Sequence, residues 1–182
     1  MLLWARRSRT PLAALGFVRP RSWTVTILLG VAFGVAFKLV MKSVVMPLLG
    51  ADPINRAYHF IASNPAALPG AVYTMIVGAG FGEETVFRGY FFERLRTLWG
   101  TSRWARTATV IVTALLFGAA HYPGQGLTGA EQAMFTGLVF GAIFAATGEL
   151  AFLMVAHAAF DLTAVAIIYW NLEAQVAHWV FK

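Results

Sequence analysis

The chain has 182 residues, 59% hydrophobic and only 12% charged, with a mean hydropathy of +0.68. A soluble domain carries about 25% charged residues, so a soluble globular fold is excluded and an integral membrane protein is indicated. The net charge of +6 comes mainly from arginines at the N-terminus and between Glu93 and Arg106, where anionic lipid headgroups meet apolar segments; the expected partner is the bilayer, not nucleic acid.

The start, MLLWARRSRTPLAALGFVRPRSW, forms a basic segment over 1–22 without a clear small-residue cleavage site, so the following apolar run is read as an uncleaved first span. The apolar composition extends along the whole length, which predicts one all-α domain, 1–182, a polytopic bundle of about five transmembrane helices. The expected spans are Trp23 to Leu49, Pro69 to Phe92, Trp104 to His121, Glu131 to Thr147 and Leu150 to Trp170. Lys38 and Lys42, one helical turn apart in the first span, are expected to snorkel to the interface. Residues 50–70 form a polar-aromatic connection, with an interfacial or re-entrant half-helix expected over Ile54 to Ser63. YPGQGLTG, 122–129, is expected to be a loop. The short TGE connection makes the last two spans an antiparallel hairpin. The arginines before the first span and those between the second and third put both segments in the cytoplasm, N-terminus in and C-terminus out.

Within the core helices, 69–170, six polar groups demand internal partners, because a charge at the centre of a bilayer helix costs about 2.5 to 3.5 kcal/mol. They are Glu83, Glu84, Arg88, His121, His157 and Asp161. Glu84 and Arg88 stand at i and i+4 and can pair, whereas Glu83 points about 100° away and is left for another task. His157 and Asp161 share one face of the last span through the same spacing, as do Phe117 and His121 on the third. His59, His178, Glu131, Glu149 and Glu173 default to interfacial, capping or tail positions.

Other intramembrane chemistries lack their residues. No cysteine is present, which removes disulfides, thiolate ligands and a cysteine nucleophile. There is no G-x-S-x-G, no H-E-x-x-H, and no pair of intramembrane aspartates for an acid dyad. A glutamate with two histidines and an aspartate remains, a set that either activates water directly or holds a metal such as Zn²⁺.

The three ordered motifs EETVFRG, FGAAH and HAAFD resemble those of the CPBP family, the CAAX prenyl endopeptidases and bacteriocin-processing (Abi) enzymes. The resemblance covers Glu83 to Asp161, and it departs where the third motif commonly ends in Asn and this chain has Asp161. It implies a multi-span intramembrane protease acting on a peptide or protein substrate, lipidated or membrane-bound, near the membrane surface. By the same resemblance Glu83 and His121 would activate water, and His157 and Asp161 would stabilise the oxyanion or complete a metal site. Glu84 and Arg88 would brace their helix. Relatives of this kind are described both as metalloproteases and as glutamate-dependent enzymes, so a Zn²⁺ on His121, His157, Glu83 and Asp161 and a metal-independent route both stay open.

Two other classes stay open as well: a non-catalytic self-immunity or partner-binding factor on the same scaffold, and a proton-coupled transporter, for which no inverted repeat is visible. Compact length and arginine-rich flanks suggest a multi-pass protein of a bacterial inner membrane. A ruler of 1.5 Å per residue leaves one conflict: Glu83, His157 and Asp161 fall in the inner half of the membrane, but His121 falls near the outer end of its span.

Overall fold

The computed structural model describes residues 1–181 and is helical throughout, with no strand among the described residues. A short helix α1, Leu2–Arg7, and a 3-10 turn, Leu12–Leu15, lead into α2, Trp23–Leu48. Ser22 starts α2 by accepting from the Val25 N–H, which satisfies one of the donors a helix start leaves open. Helix α3 occupies 68–99, and much of it is π-helical: Thr74–Glu83 and Thr85–Tyr90. Such widened turns concentrate at functional sites, and here they carry Glu83 and Arg88, with Glu84 at the junction between them.

The 45-residue stretch Arg103–Thr147 is not one rod. Gly126, at φ 66° and ψ −166°, breaks it into α4, 103–125, and α5, 127–147. The two limbs are antiparallel: Gly118 faces Ala130, and Gly137 faces Ala114 with 2.9 Å between its ideal Cβ position and the Ala114 Cα. Small residues let the two backbones approach. The expected loop over 122–129 therefore contracts to a single residue, and Pro123 is accommodated inside the end of α4. Helix α6, Leu150–Tyr169, follows the tight turn at Gly148, and a short α7, Glu173–Ala177, ends the described chain. The half-helix expected over Ile54 to Ser63 is only a 3-10 turn, His59–Ile61, because prolines and Asx-type turns interrupt that connection.

Among the described residues, Trp23–Leu48, Arg103–Thr147 and Leu150–Tyr169 are long and apolar enough to cross a membrane. Since the second of these doubles back at Gly126 and α3 runs beside them, the bundle has the expected polytopic form. Its centre is α6. A side chain at Gly34 of α2 would overlap the Ala156 carbonyl, and one at Gly80 of α3 would come within 2.9 Å of the Met154 carbonyl. Phe140, Leu150, Leu153 and Ala156 are fully buried around this axis, while Leu28, Leu98, Trp104 and Leu115 point outward, as they would toward lipid.

The arginine-bearing ends meet at one end of the bundle. Arg94 lies over the Trp4 ring at 4.6 Å, Trp4 packs edge-on against Tyr90 at 4.8 Å, and the Leu150 N–H donates to the Gly16 carbonyl at 3.0 Å. The 50–67 connection, Gly126 and α7 lie at the other end. Gly141 packs against Val110 and Phe92, while Gly89 packs against Leu15 and Leu150, so these residues mark one shared level. From Val110 to His121, and from Leu150 to Asp161, is then about 16 Å of helix in each case. The ruler conflict disappears: the first turns of α4 project past the level at which α6 begins, so counting from Arg103 overstates the depth of His121.

Candidate active site

Glu84 and Arg88 are the most deeply buried charges of the bundle, 0% and 1% exposed. Arg88 Nη1 donates to Glu84 Oε1 at 2.8 Å along α3, as the i,i+4 spacing requires. The pair is not self-contained. His157 Nδ1, from α6, lies 2.6 Å from the same Glu84 oxygen. Since a carboxylate only accepts, that nitrogen carries the proton, and His157 Nε2 is turned away toward Glu83 and Asp161.

His121 is oriented by the same rule with a different acceptor. Its Nδ1 lies 2.8 Å from the Phe117 carbonyl one turn back on α4, so Nδ1–H donates and Nε2 is presented to the interior. The two presented nitrogens converge. His121 Nε2 is 3.9 Å and His157 Nε2 is 3.8 Å from Glu83 Oε2, and His157 Nε2 is 3.6 Å from Asp161 Oδ2. Glu83 Oε2 is buried without a hydrogen-bond partner among the described residues. Buried oxygens are almost always satisfied, and at nearly 4 Å from each imidazole nitrogen this one is too far for a direct hydrogen bond and suited to a bridging water.

Aromatic plates fix this geometry from behind. Phe117 takes the Arg88 guanidinium on its face at 4.6 Å and makes a T-shaped contact with the His121 ring at 4.5 Å. Phe140, from α5, packs against His157 at 5.4 Å and against Arg88 at 5.5 Å. The motif spacing had marked Phe117; Phe140 carries no signal in the sequence beyond its apolar character.

A cavity of about 240 Å³ opens in front of the four groups, lined by Glu83, His121, His157 and Asp161 together with Tyr58 and Lys38. It runs toward the end of the bundle that carries Asn55 and Gln125. All six expected residues are thus brought together, Glu83, His121, His157 and Asp161 facing the cavity and Glu84 with Arg88 standing behind His157.

Lys38 and Lys42 do not snorkel. Lys38 is 5% exposed and donates to Gln132 Oε1 at 3.1 Å, with its ammonium 4.6 Å above the Phe160 ring. Lys42 donates to the Pro53 carbonyl and stands 3.8 Å from Glu173. Glu173 is not a tail residue either: it is 2% exposed, accepts from the Asn55 N–H at 2.7 Å and has His59 at 3.6 Å. It closes the end of the bundle by joining α7 to the 50–67 connection. Sequence distance hid that link, since no local spacing relates Glu173 to Asn55. His178 keeps its default, bonded to the Ala174 carbonyl of its own turn.

The donor chemistry suits a metal as well as a water. Two imidazoles whose Nδ1 groups are already held, one by a carbonyl and one by a carboxylate, present Nε2 in the manner of zinc ligands, and the unpartnered Glu83 oxygen faces both. Among the described residues, however, no three His, Asp or Glu side chains stand close enough to form a ready metal cluster.

The family profile described as type II CAAX prenyl endopeptidase Rce1-like matches residues 65–163. The chain belongs to this family. The match takes in α3 to α6 as far as Thr163, and with them every group that converges on Glu83; α2, with Lys38, lies outside it. No curated protein and no solved structure matches the chain. The protein is accordingly a membrane protein of the CAAX-protease type, and its family points to a protease.

Proposed function

We infer that this Rce1-like protein is an intramembrane endopeptidase in which Glu83 is the general base. One observation carries the reading: two differently anchored imidazoles present Nε2 to one unpartnered, buried carboxylate oxygen on the wall of a polar cavity. A water held between Glu83 and His121 attacks the scissile carbonyl carbon and gives its proton to Glu83. His157, at the other side of Glu83, takes part as the imidazolium, with Nδ1–H on Glu84 and a second proton on Nε2 beside Asp161, and Nε2–H donates to the oxyanion that forms. Collapse of the intermediate breaks the C–N bond, and the proton returns to the leaving amine. Glu84 acts through His157, holding its Nδ1–H, and Arg88 holds Glu84 in place. If Zn²⁺ is bound, His121 and His157 with Glu83 and Asp161 are the residues that would hold it, and it would supply a Lewis acid and an acidified water.

The substrate is a peptide segment that reaches the cavity from the bilayer, either membrane-bound or lipidated. The arginine-rich end supports a cytoplasmic placement of the basic segments, in keeping with a bacterial inner-membrane protein, and the mouth near Asn55 and Gln125 then faces the opposite side. The test is cleavage of a membrane-anchored, internally quenched peptide library by the purified protein in liposomes. Glu83→Gln and His121→Ala should each remove cleavage while the thermal unfolding midpoint stays near that of the wild type. Undiminished turnover in either variant would overturn the assignment, and retained partner binding or immunity in a chain that cleaves nothing would favour the non-catalytic alternative.

A further inference from the structure

The catalytic cavity is not closed at its outer end. It adjoins a second cavity of about 280 Å³, lined by Lys42, Asp52, Arg56 and Glu173, and Lys38, Asn55, Gln125 and Gln132 line both. Lys38 therefore stands at the neck between the reacting groups and the outer chamber. The other cations of the outer chamber are spoken for: Arg56 pairs with Asp52 at 2.9 Å, and Lys42 has Glu173 and the Pro53 carbonyl.

Lys38 is different. An ammonium has three N–H donors. One goes to Gln132, the Phe160 ring covers another side, and no carboxylate lies within salt-bridge reach among the described residues. Asp161 faces the same cavity but stands closer to His157, at 3.6 Å. Beside Lys38 the neck carries the apolar Phe160, Ala164 and Ile168 and the uncharged Asn55, Gln125 and Gln132, and a charge in such a recess attracts its opposite more strongly than one in open water. A buried ammonium inside a membrane-spanning helix is costly to keep unless something uses it.

We propose that Lys38 is a specificity-determining residue: together with Gln132 it forms an outer subsite that takes an anionic group, a carboxylate, of the bound peptide a few residues from the scissile bond. The proposal rests on the endopeptidase reading for what is bound, but it concerns recognition and can be tested where no bond is cut. The carboxylate can come from an acidic side chain or from a free C-terminus, and both present the same two oxygens to the ammonium. Gln132, whose Oε1 accepts from Lys38, leaves its amide N–H₂ free to donate to the same carboxylate.

The experiment uses the Glu83→Gln protein in detergent and fluorescently labelled apolar peptides read by anisotropy. Four probes share one sequence: an internal Asp or Asn, each with a free acid or a carboxamide C-terminus. One anionic probe should bind about tenfold or more tighter than the fully neutral one, and comparing the Asp–amide with the Asn–acid peptide identifies the source. Adding Lys38→Met should erase the ratio, Lys38→Arg should keep most of it, and Lys38→Glu should invert it in favour of a Lys-containing peptide. Equal binding of all four probes overturns the subsite, as does a ratio that survives Lys38→Met. Cleavage lost in Lys38→Met and regained in Lys38→Met/Asp161→Asn would also overturn it, because Lys38 would then serve Asp161 and not the substrate. Absence of cleavage in the wild type, with the binding ratio intact, would refute the endopeptidase reading and leave the subsite standing.

Discussion

His157 Nδ1 and Arg88 Nη1 meet at one oxygen, Glu84 Oε1, at 2.6 and 2.8 Å. Through that oxygen α6 is tied to α3 in the middle of the bundle, and the Nδ1 proton of His157 is fixed on the side facing away from the cavity. An ion pair that looks local in the sequence is thus also a tertiary clamp.

Glu84→Gln should therefore damage the fold as well as the reaction. It would leave the Arg88 guanidinium buried without its counter-charge, a loss of about 3–5 kcal/mol for a pair removed from solvent. Thermal unfolding in detergent should shift down markedly, and any protein that still folds should cleave poorly because the Nδ1–H of His157 is no longer held by a carboxylate. A midpoint equal to that of the wild type would show that the clamp contributes nothing.

Phe117 is a plate for Arg88, His121 and His157 at once. Phe117→Ala should cost about 3–5 kcal/mol by opening a cavity in the core. Phe117→Leu, which keeps apolar volume but removes the ring face and edge, should lose less stability yet still lower kcat. Unchanged kcat in the leucine variant would restrict Phe117 to packing.

Gly126 occupies backbone space that is nearly glycine-only, and nothing lies within 4 Å of where its Cβ would be. Gly126→Ala should then be destabilising through backbone strain alone, by about 1–3 kcal/mol. Calorimetry or a detergent melt checks it. A neutral effect would mean that the hairpin between α4 and α5 tolerates another turn geometry.

Orientation is open to a direct chemical test, because the chain contains no cysteine of its own. Arg56→Cys, at the end bearing the cavity mouth, should react with a membrane-impermeant maleimide from outside intact cells. Arg96→Cys should react only after lysis. The reverse pattern would place the mouth in the cytoplasm and contradict the positive-inside reading.

Much of the site was legible because helical spacing is short-range. Glu84 with Arg88, Phe117 with His121 and His157 with Asp161 are each one turn apart, so their shared faces follow from the residue numbers. Lys38 departs from the sequence expectation for a complementary reason: in the outer half of a span, an apolar stem with a charged tip describes a snorkelling lysine and a cavity lysine equally well. Only the position of Gln132 and Phe160 on other helices distinguishes them. Glu173 departs likewise from its expected tail position, its partners Asn55 and Lys42 being remote in the chain. The 122–129 segment looked like a loop because Pro and Gly usually mark one, yet a proline in the last turns of a helix and a single left-handed glycine suffice for the reversal.

By itself the sequence determined that this is a helical membrane protein, which residues are too polar to face lipid, and how they pair within each helix; composition, hydropathy and a 3.6-residue period are local quantities. The tertiary structure decided the relations between helices. It chose Glu83 Oε2 as the point where two histidines converge, attached His157 to Glu84, doubled the chain back at Gly126, and turned Lys38 from the interface into the neck of the cavity. Those outcomes depend on how small residues such as Gly34, Gly80 and Gly137 let backbones approach, and so on contacts between segments far apart in the chain that no single window of sequence contains.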